Sequence, residues 1–268
     1  MTPRLRSVAL ATLVFLFASA APVLAQTVSL TPEPPSGARG LLPRFRFYLS
    51  AATLLTDDER FDWDADFGGD IDLVDYGVGR VTALANFETV LGDQLRDFDP
   101  NQGNYTLDVS ASLRSKRLEA ALVFHHISRH LSDRPKPFPI DWNMVGLRVA
   151  YEISRPGTRI QIDGRLLDTV TRSFVDYRAE IGGSVSLRRE LNPRVSLIAS
   201  GDGYGMFVET ASLRGHQNGG RLEAGLRVSG SKGAVELFAG YERRIDADPF
   251  EQRPRTWMFA GFRLLSAN

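Results

Sequence analysis

Tyr105-Thr-Leu-Asp-Val-Ser-Ala-Ser-Leu-Arg114 decides the fold. Tyr105, Leu107, Val109, Ala111 and Leu113 take the odd positions; Thr106, Asp108, Ser110, Ser112 and Arg114 take the even ones. Successive side chains of an extended strand point to opposite faces, so this stretch has one oily face and one wet face.

The same two-residue period recurs on both sides of it. Phe45, Phe47, Leu49 and Ala51 oppose Arg44, Arg46, Tyr48 and Ser50. Val145, Leu147, Val149, Tyr151 and Ile153 oppose Met144, Arg148 and Glu152. Ile160, Ile162 and Leu166 oppose Arg159, Gln161, Asp163 and Arg165. Tyr177, Ala179, Ile181, Val185 and Leu187 oppose Asp176, Arg178, Glu180, Ser184, Ser186 and Arg188. Leu222, Ala224, Leu226 and Val228 oppose Arg221, Glu223, Arg227 and Ser229.

Tight turns at Ser115-Lys-Arg117, Arg155-Pro-Gly157, Asn192-Pro193 and Gly230-Ser-Lys-Gly233 alternate with longer polar connections at 131–137, 168–173, 209–219 and 246–254. Short turns on one side and longer loops on the other are the pattern of a transmembrane β-barrel. Counting back from a last strand over 256–265 puts 92–103 among the long loops. It also requires a tight turn near 76–79. The expectation is all-β: an antiparallel up-and-down transmembrane barrel of about 12 strands, an even number as in single-chain bacterial barrels. A soluble sandwich or lipocalin-like barrel also alternates. Its strands average about 5–6 residues, whereas these segments are longer and their polar face is charged in nearly every one.

The N-terminus reads as an export signal. Arg4 and Arg6 precede the apolar run from Val8 to Ala20, and Val23-Leu24-Ala25 is a small-residue cleavage site. The run falls short of the roughly 20 apolar residues of a membrane-spanning helix. The organisation read from this is residues 1–25 as signal peptide cleaved after Ala25, 26–40 as a Pro-rich lead-in, and 41–268 as barrel. A Gram-negative outer membrane is the expected location, with outer-membrane lipid, lipopolysaccharide and the barrel-assembly machinery as partners. The chain has no cysteine, which excludes disulfides and thiolate metal sites. Without Arg4 and Arg6 its 32 basic residues become 30 against 32 acidic ones, a net charge of −2 that suggests no nucleic-acid partner. Nothing in it calls for a cofactor.

On the wet face, Arg148, Arg165, Arg178, Glu180 and Arg227 stand among charges expected to fill the lumen as ion pairs, or else to line a narrow channel. Tyr151, Tyr177, Phe207, Phe238, Tyr241, Trp257, Phe259 and Phe262 are candidates for an outer aromatic girdle; ordinary strand preference for aromatics is the alternative. The last strand ends Leu265-Ser-Ala-Asn268 rather than in Phe.

Phe124-His-His-Ile-Ser-Arg-His-Leu-Ser-Asp133 gathers three of the four histidines. Alternation turns His126, Ser128 and His130 outward, and a symmetric hairpin about Arg134–Pro135 sets Asp141 beside Ser128. A hydroxyl, an imidazole and a carboxylate supply the roles of nucleophile, base and orienting acid. The other reading is a polar rim of His125, His130 and Asp133, with Arg129 and Arg134 near lipopolysaccharide phosphates. His126 and His130 lie some ~13 Å apart along a strand, too far to share a metal ion.

Phe124-x-His126-Ile-Ser128 resembles the Phe-x-His-Tyr-Ser-Asn segment of outer-membrane lipid A deacylases, departing from it at Arg129. That resemblance implies Ser128 as nucleophile, His126 as base and Asp141 as orienter of an outward-facing esterase. His126-x-Ser128-x-His130-Leu-x-Asp133, with Phe238-Ala-Gly-Tyr241 and Gly261-Phe-Arg263, also resembles a group of bacterial outer-membrane barrels that implies no particular activity. Two functions are thus expected as alternatives: a structural or weakly pore-forming barrel, and a lipid A or phospholipid esterase.

Overall fold

The computed structural model describes residues 38–266. The segment expected as signal peptide (1–25) and most of the expected lead-in (26–40) lie outside the described residues. The rest is one closed antiparallel barrel of twelve strands, each paired with its chain neighbours, and the first with the last. The strands are β1 (Gly40–Leu55), β2 (Trp63–Asp75), β3 (Arg80–Gly92), β4 (Asp99–Ser115), β5 (Leu118–Leu131) and β6 (Ile140–Arg155). They continue with β7 (Thr158–Ser173), β8 (Tyr177–Glu190), β9 (Val195–Val208), β10 (Gln217–Ser229), β11 (Gly233–Asp248) and β12 (Arg253–Ser266). Closure through Tyr48↔Leu265 and the pairs beyond it removes the open edge that bilayer hydrocarbon would leave unsatisfied.

The oily faces point outward. Leu107 is 47 % exposed, Leu122 63 % and Leu147 62 %, whereas Asp108, Arg148 and Glu180 are buried inside. Strand lengths of 13–17 residues exceed the roughly 9–11 needed to cross a bilayer. This is a transmembrane barrel with its polar side chains within. The expected turn at 76–79 is present, with Gly77 at φ 86°, and Lys116 and Gly157 also adopt positive φ in the tight turns. Segment 168–173, expected as a loop, belongs instead to β7, and the connection to β8 is only 174–176.

Ion pairs cross-link the lumen. Arg44 joins Asp70 and Asp72, Arg80 joins Asp72 and Glu119, and Arg244 joins Asp64, Glu88 and Glu242. Of the expected lumen charges, Arg148 reaches Asp163 at 3.7 Å, Arg165 pairs with Glu180, and Arg227 reaches Glu236 at 3.3 Å. Arg178 is a correction. The register steps from Tyr177↔Val208 to Ala179↔Phe207, so Arg178 is the extra residue of a bulge. The bulge turns Arg178 outward and Tyr177 inward. Half of the expected girdle is also inside: Tyr177, Phe238, Trp257 and Phe259 are buried. Phe238 shares parity with Glu236, and Trp257 and Phe259 share it with Arg263, so each had to face the lumen.

The end that bears the longer loops is sealed from within. Pairing of β11 with β12 breaks between Arg244 and Asp248, and residues 245–248 fold into the mouth, all four buried. Asp246 accepts from Tyr177 at 2.5 Å and from Arg214 at 2.7 and 2.8 Å. Asp248 accepts from Arg60 at 2.8 Å and Arg134 at 2.5 Å, and Gln102 donates to the Ala247 carbonyl at 2.8 Å. Beneath lie Trp142, Met144, Tyr177, Tyr204, Met206 and Ile245, an apolar plug. Planar-bilayer recordings at pH 7 are therefore expected to stay silent; a steady conductance would contradict the seal.

Acid should loosen this mouth. Burial acts to raise the Asp176 carboxyl, but hydrogen bonds from Arg214 outweigh it and hold the group below its usual value. Glu251 is held low by Arg255, and Asp58 by Arg60 against its own burial. A depressed folded pKa stabilises above the unfolded value of about 3.9–4.3 and is lost as pH falls through the folded one. Hydrogen exchange in 209–216 and 249–252, corrected for intrinsic rates, is expected to rise below about pH 4. Unchanged protection at pH 3 would refute this.

Candidate functional site

Three neighbouring strands build a polar notch in the apolar outer wall. On β5 the outward residues change from Leu122 and Phe124 to His126, Ser128 and His130; on β6 they change from Leu147 and Val145 to Asn143 and Asp141. The register sets Ser128 opposite Asp141 and His126 opposite Asn143. Across β6, Asn143 stands opposite Thr171 of β7, and Asp168 lies outward opposite Val145. The notch sits where β5 and β6 approach the loop-bearing end.

Hydrogen bonds tie these residues together. His126 Nδ1 meets Asn143 Oδ1 at 2.9 Å, and Asn143 Nδ2 donates to Thr171 Oγ1 at 2.8 Å. With the amide oxygen facing the ring, His126 carries its proton on Nδ1 and leaves Nε2 as an acceptor. Ser128 Oγ lies 3.0 Å from His130 Nε2, and His130 packs edge-on against Tyr105 with centroids 5.3 Å apart. Ser128 thus stands between two imidazoles on one face, each two residues away along the strand, about 6.7 Å at Cα. Asp141 holds the position across from Ser128, but the partner of His126 is Asn143.

The expected rim group separates. His130 is outward, while Asp133, in the loop, lies 3.4 Å from Arg134. His125 faces the lumen, 2 % exposed, with Nδ1 2.5 Å from Asp108. Arg129, expected near lipid phosphates, also points inward, donating to the Asp246 carbonyl and lying over the Trp142 ring. Odd and even neighbours of one strand cannot share a face. Among the described residues, no group of three or more His, Asp or Glu is placed to hold a metal ion.

Asn143 was missed by reading the sequence, although the hairpin symmetry that sets Asp141 beside Ser128 sets Asn143 beside His126. Thr171 was out of reach, because the register shifts between Asn143 and Met144.

In architecture the chain is similar to the outer membrane phospholipase A from Escherichia coli, with a TM-score of 0.52 and 12% identity over 83% of this chain and 90% of that one. It is also similar to the Salmonella typhi outer membrane phospholipase, described as a dimer with bound calcium, at TM-score 0.51 and 10% identity over 83% and 91%. A third likeness is to an active-site asparagine-to-alanine mutant of the Escherichia coli enzyme, at TM-score 0.51 and 11% identity over 89% and 95%. At such identities the likeness shows the fold, that of outer-membrane barrels. No family model and no curated protein matches the chain.

Proposed function

We propose that this chain is an outer-membrane esterase of acyl lipids, working on the outer wall of the barrel. The observation that carries the reading is the His126–Asn143 hydrogen bond beside Ser128, on a face otherwise made for hydrocarbon. Ser128, His126 and Asn143 bring a nucleophile, a base and an oriented tautomer together beside an apolar belt. Ser128 Oγ attacks the acyl carbonyl while His126 Nε2 takes its proton. The tetrahedral intermediate then expels the lipid alcohol, which receives that proton, and water releases the acyl-serine as free fatty acid. Asn143 fixes the ring, and the acyl chain lies along Phe124 and Val145 below. A phospholipase on a similar barrel, with an asparagine in its active site, agrees with this reading. Export through residues 1–25 belongs to the same proposal.

The test is fatty-acid release from phospholipid and lipid A micelles by folded protein, followed by mass spectrometry. Release by wild type that disappears in Ser128→Ala is the expected result. No release from either lipid by wild type would overturn the esterase. The sealed mouth favours a second reading, a non-conducting structural barrel, which that outcome would leave standing.

A further inference from the structure

Two arginines face outward from the upper wall of the barrel. The bulge at the start of β8 turns Arg178 out, and alternation turns Arg243 of β11 out, between buried Glu242 and Arg244. Among the described residues no carboxylate lies within 4.0 Å of either guanidinium. Asp168 stands outward opposite Ala179, one position from Arg178, and does not pair with it. Arg243 donates through Nε to the carbonyl and side-chain oxygens of Asn218, at 3.1 and 3.2 Å, which leaves its terminal amino groups directed away from the chain's own acceptors.

Both arginines stand at the loop-side end of the ladder. Arg178 is the second residue of β8, and pairing of β11 with β12 breaks just after Arg244. Between them Phe207 of β9 is exposed and meets the ring of His216 edge-on, with centroids 4.9 Å apart. A lipid-facing arginine is costly at the bilayer midplane and nearly free at the interface, so this crescent lies at headgroup level. Strands β8 and β11 are three steps of about 4.8 Å apart, on the order of 14 Å across the wall.

Below Arg178 the wall is bare. Gly164, Gly183, Gly203 and Gly220 pair in one outward row from β7 to β10, and the row ends on Arg243. A Cβ added at Gly164 or Gly205 would meet nothing nearer than 3.9 or 3.5 Å, so packing within the chain does not require glycine there. Glycine inside a strand weakens it, and often marks a place where a ligand approaches the backbone closely. Exposed Ile181 and Leu222 border this shallow bed, opposite Gly205 and Gly201.

We propose that this face binds one diphosphorylated glycolipid of the lipid A class, with its phosphates held by Arg178 and Arg243 and its acyl chains over the glycine bed. The arginines carry the assignment. A guanidinium fork takes a phosphate in bidentate fashion, and two separated forks call for two phosphates on one headgroup. The longer loops place this end of an outer-membrane barrel outside, in the leaflet that such lipid builds. The site spans β8 to β11, apart from the notch on β5 to β7, and does not depend on any hydrolysis there.

Native mass spectrometry of detergent-folded full-length protein tests the site, with diphosphoryl lipid A, monophosphoryl lipid A and phosphatidylglycerol titrated separately. Wild type is expected to retain one diphosphoryl lipid A and to hold the other two at least about tenfold more weakly. Arg178→Gln/Arg243→Gln should bind diphosphoryl lipid A at least about tenfold more weakly than wild type. Arg178→Lys, which keeps the charge but loses the fork, should fall between. The heat-modifiable gel shift confirms that each variant is folded. Should the double variant fail to fold, Arg178→Lys decides alone: affinity equal to wild type would overturn the proposal. So would equal affinity in a folded double variant, or phosphatidylglycerol held as tightly as diphosphoryl lipid A. A wild-type dimer that excludes the lipid would assign the glycine bed to a second copy and overturn it as well.

Discussion

Replacing His126 by alanine is expected to lower ester release by about 10³-fold or more, whereas His130→Ala should cost less than about tenfold. Both rings are two residues from Ser128, and it is His130 that touches the hydroxyl at rest. Contact alone does not make a base. His126 has its Nδ1 tied to Asn143, which fixes the ring plane and keeps the proton off Nε2, whereas His130 meets the serine through Nε2 and packs edge-on against Tyr105. The proposed chemistry requires a step between staggered χ1 rotamers that turns the serine Oγ away from His130 and toward His126. Asn143→Ala should follow His126→Ala in direction with a smaller loss, since it removes orientation rather than the proton acceptor. Rates of fatty-acid release for the three variants against wild type settle the roles. Equal losses in the two histidine variants, or a larger loss in His130→Ala, would reverse the assignment.

The second large effect concerns stability. Arg244→Met is expected to destabilise the barrel by about 3–5 kcal/mol, because it strands buried carboxylates rather than merely deleting a contact. Arg244 is 1 % exposed and joins Asp64, Glu88 and Glu242, so three strands meet at one guanidinium. It also lies over Trp257, 5.2 Å from the ring centroid. Urea midpoints of refolded protein in detergent, read by the unboiled gel shift, measure the loss. Adding Glu242→Gln and Asp64→Asn to the same chain should recover part of it, since neutral amides bury at lower cost than unpaired charges. A midpoint unchanged by Arg244→Met would mean the cluster does not hold the barrel together.

Particular residues show why reading the chain went far in some places and failed in others. Leu107, Val109 and Arg148 were legible because a strand's two-residue period is local and survives any register. Asp64, Asp66, Asp70 and Asp72 obey the same rule and line the lumen, yet in the sequence their acidic run resembles a loop. Arg178 was misplaced because one bulged residue inverts the faces of everything before it, and no local signal marks the bulge. The site divided in the same way. Parity alone turned His126 and Ser128 outward, and hairpin symmetry brought Asp141 beside Ser128. Which side chain bonds His126 depended on side-chain geometry, and the answer was Asn143.

By itself, then, the sequence determined the class of fold, the number of strands, the inward and outward faces where no bulge intervenes, and the strand on which a hydroxyl sits between imidazoles. Periodicity and turn chemistry suffice for these, because each depends on residues within a few positions of one another. The tertiary structure alone decided the inward fold of 245–248 that seals one mouth and the convergence of Arg60, Arg134 and Arg214 upon it. These contacts join residues tens to nearly two hundred positions apart, and only closure of the barrel brings them within reach.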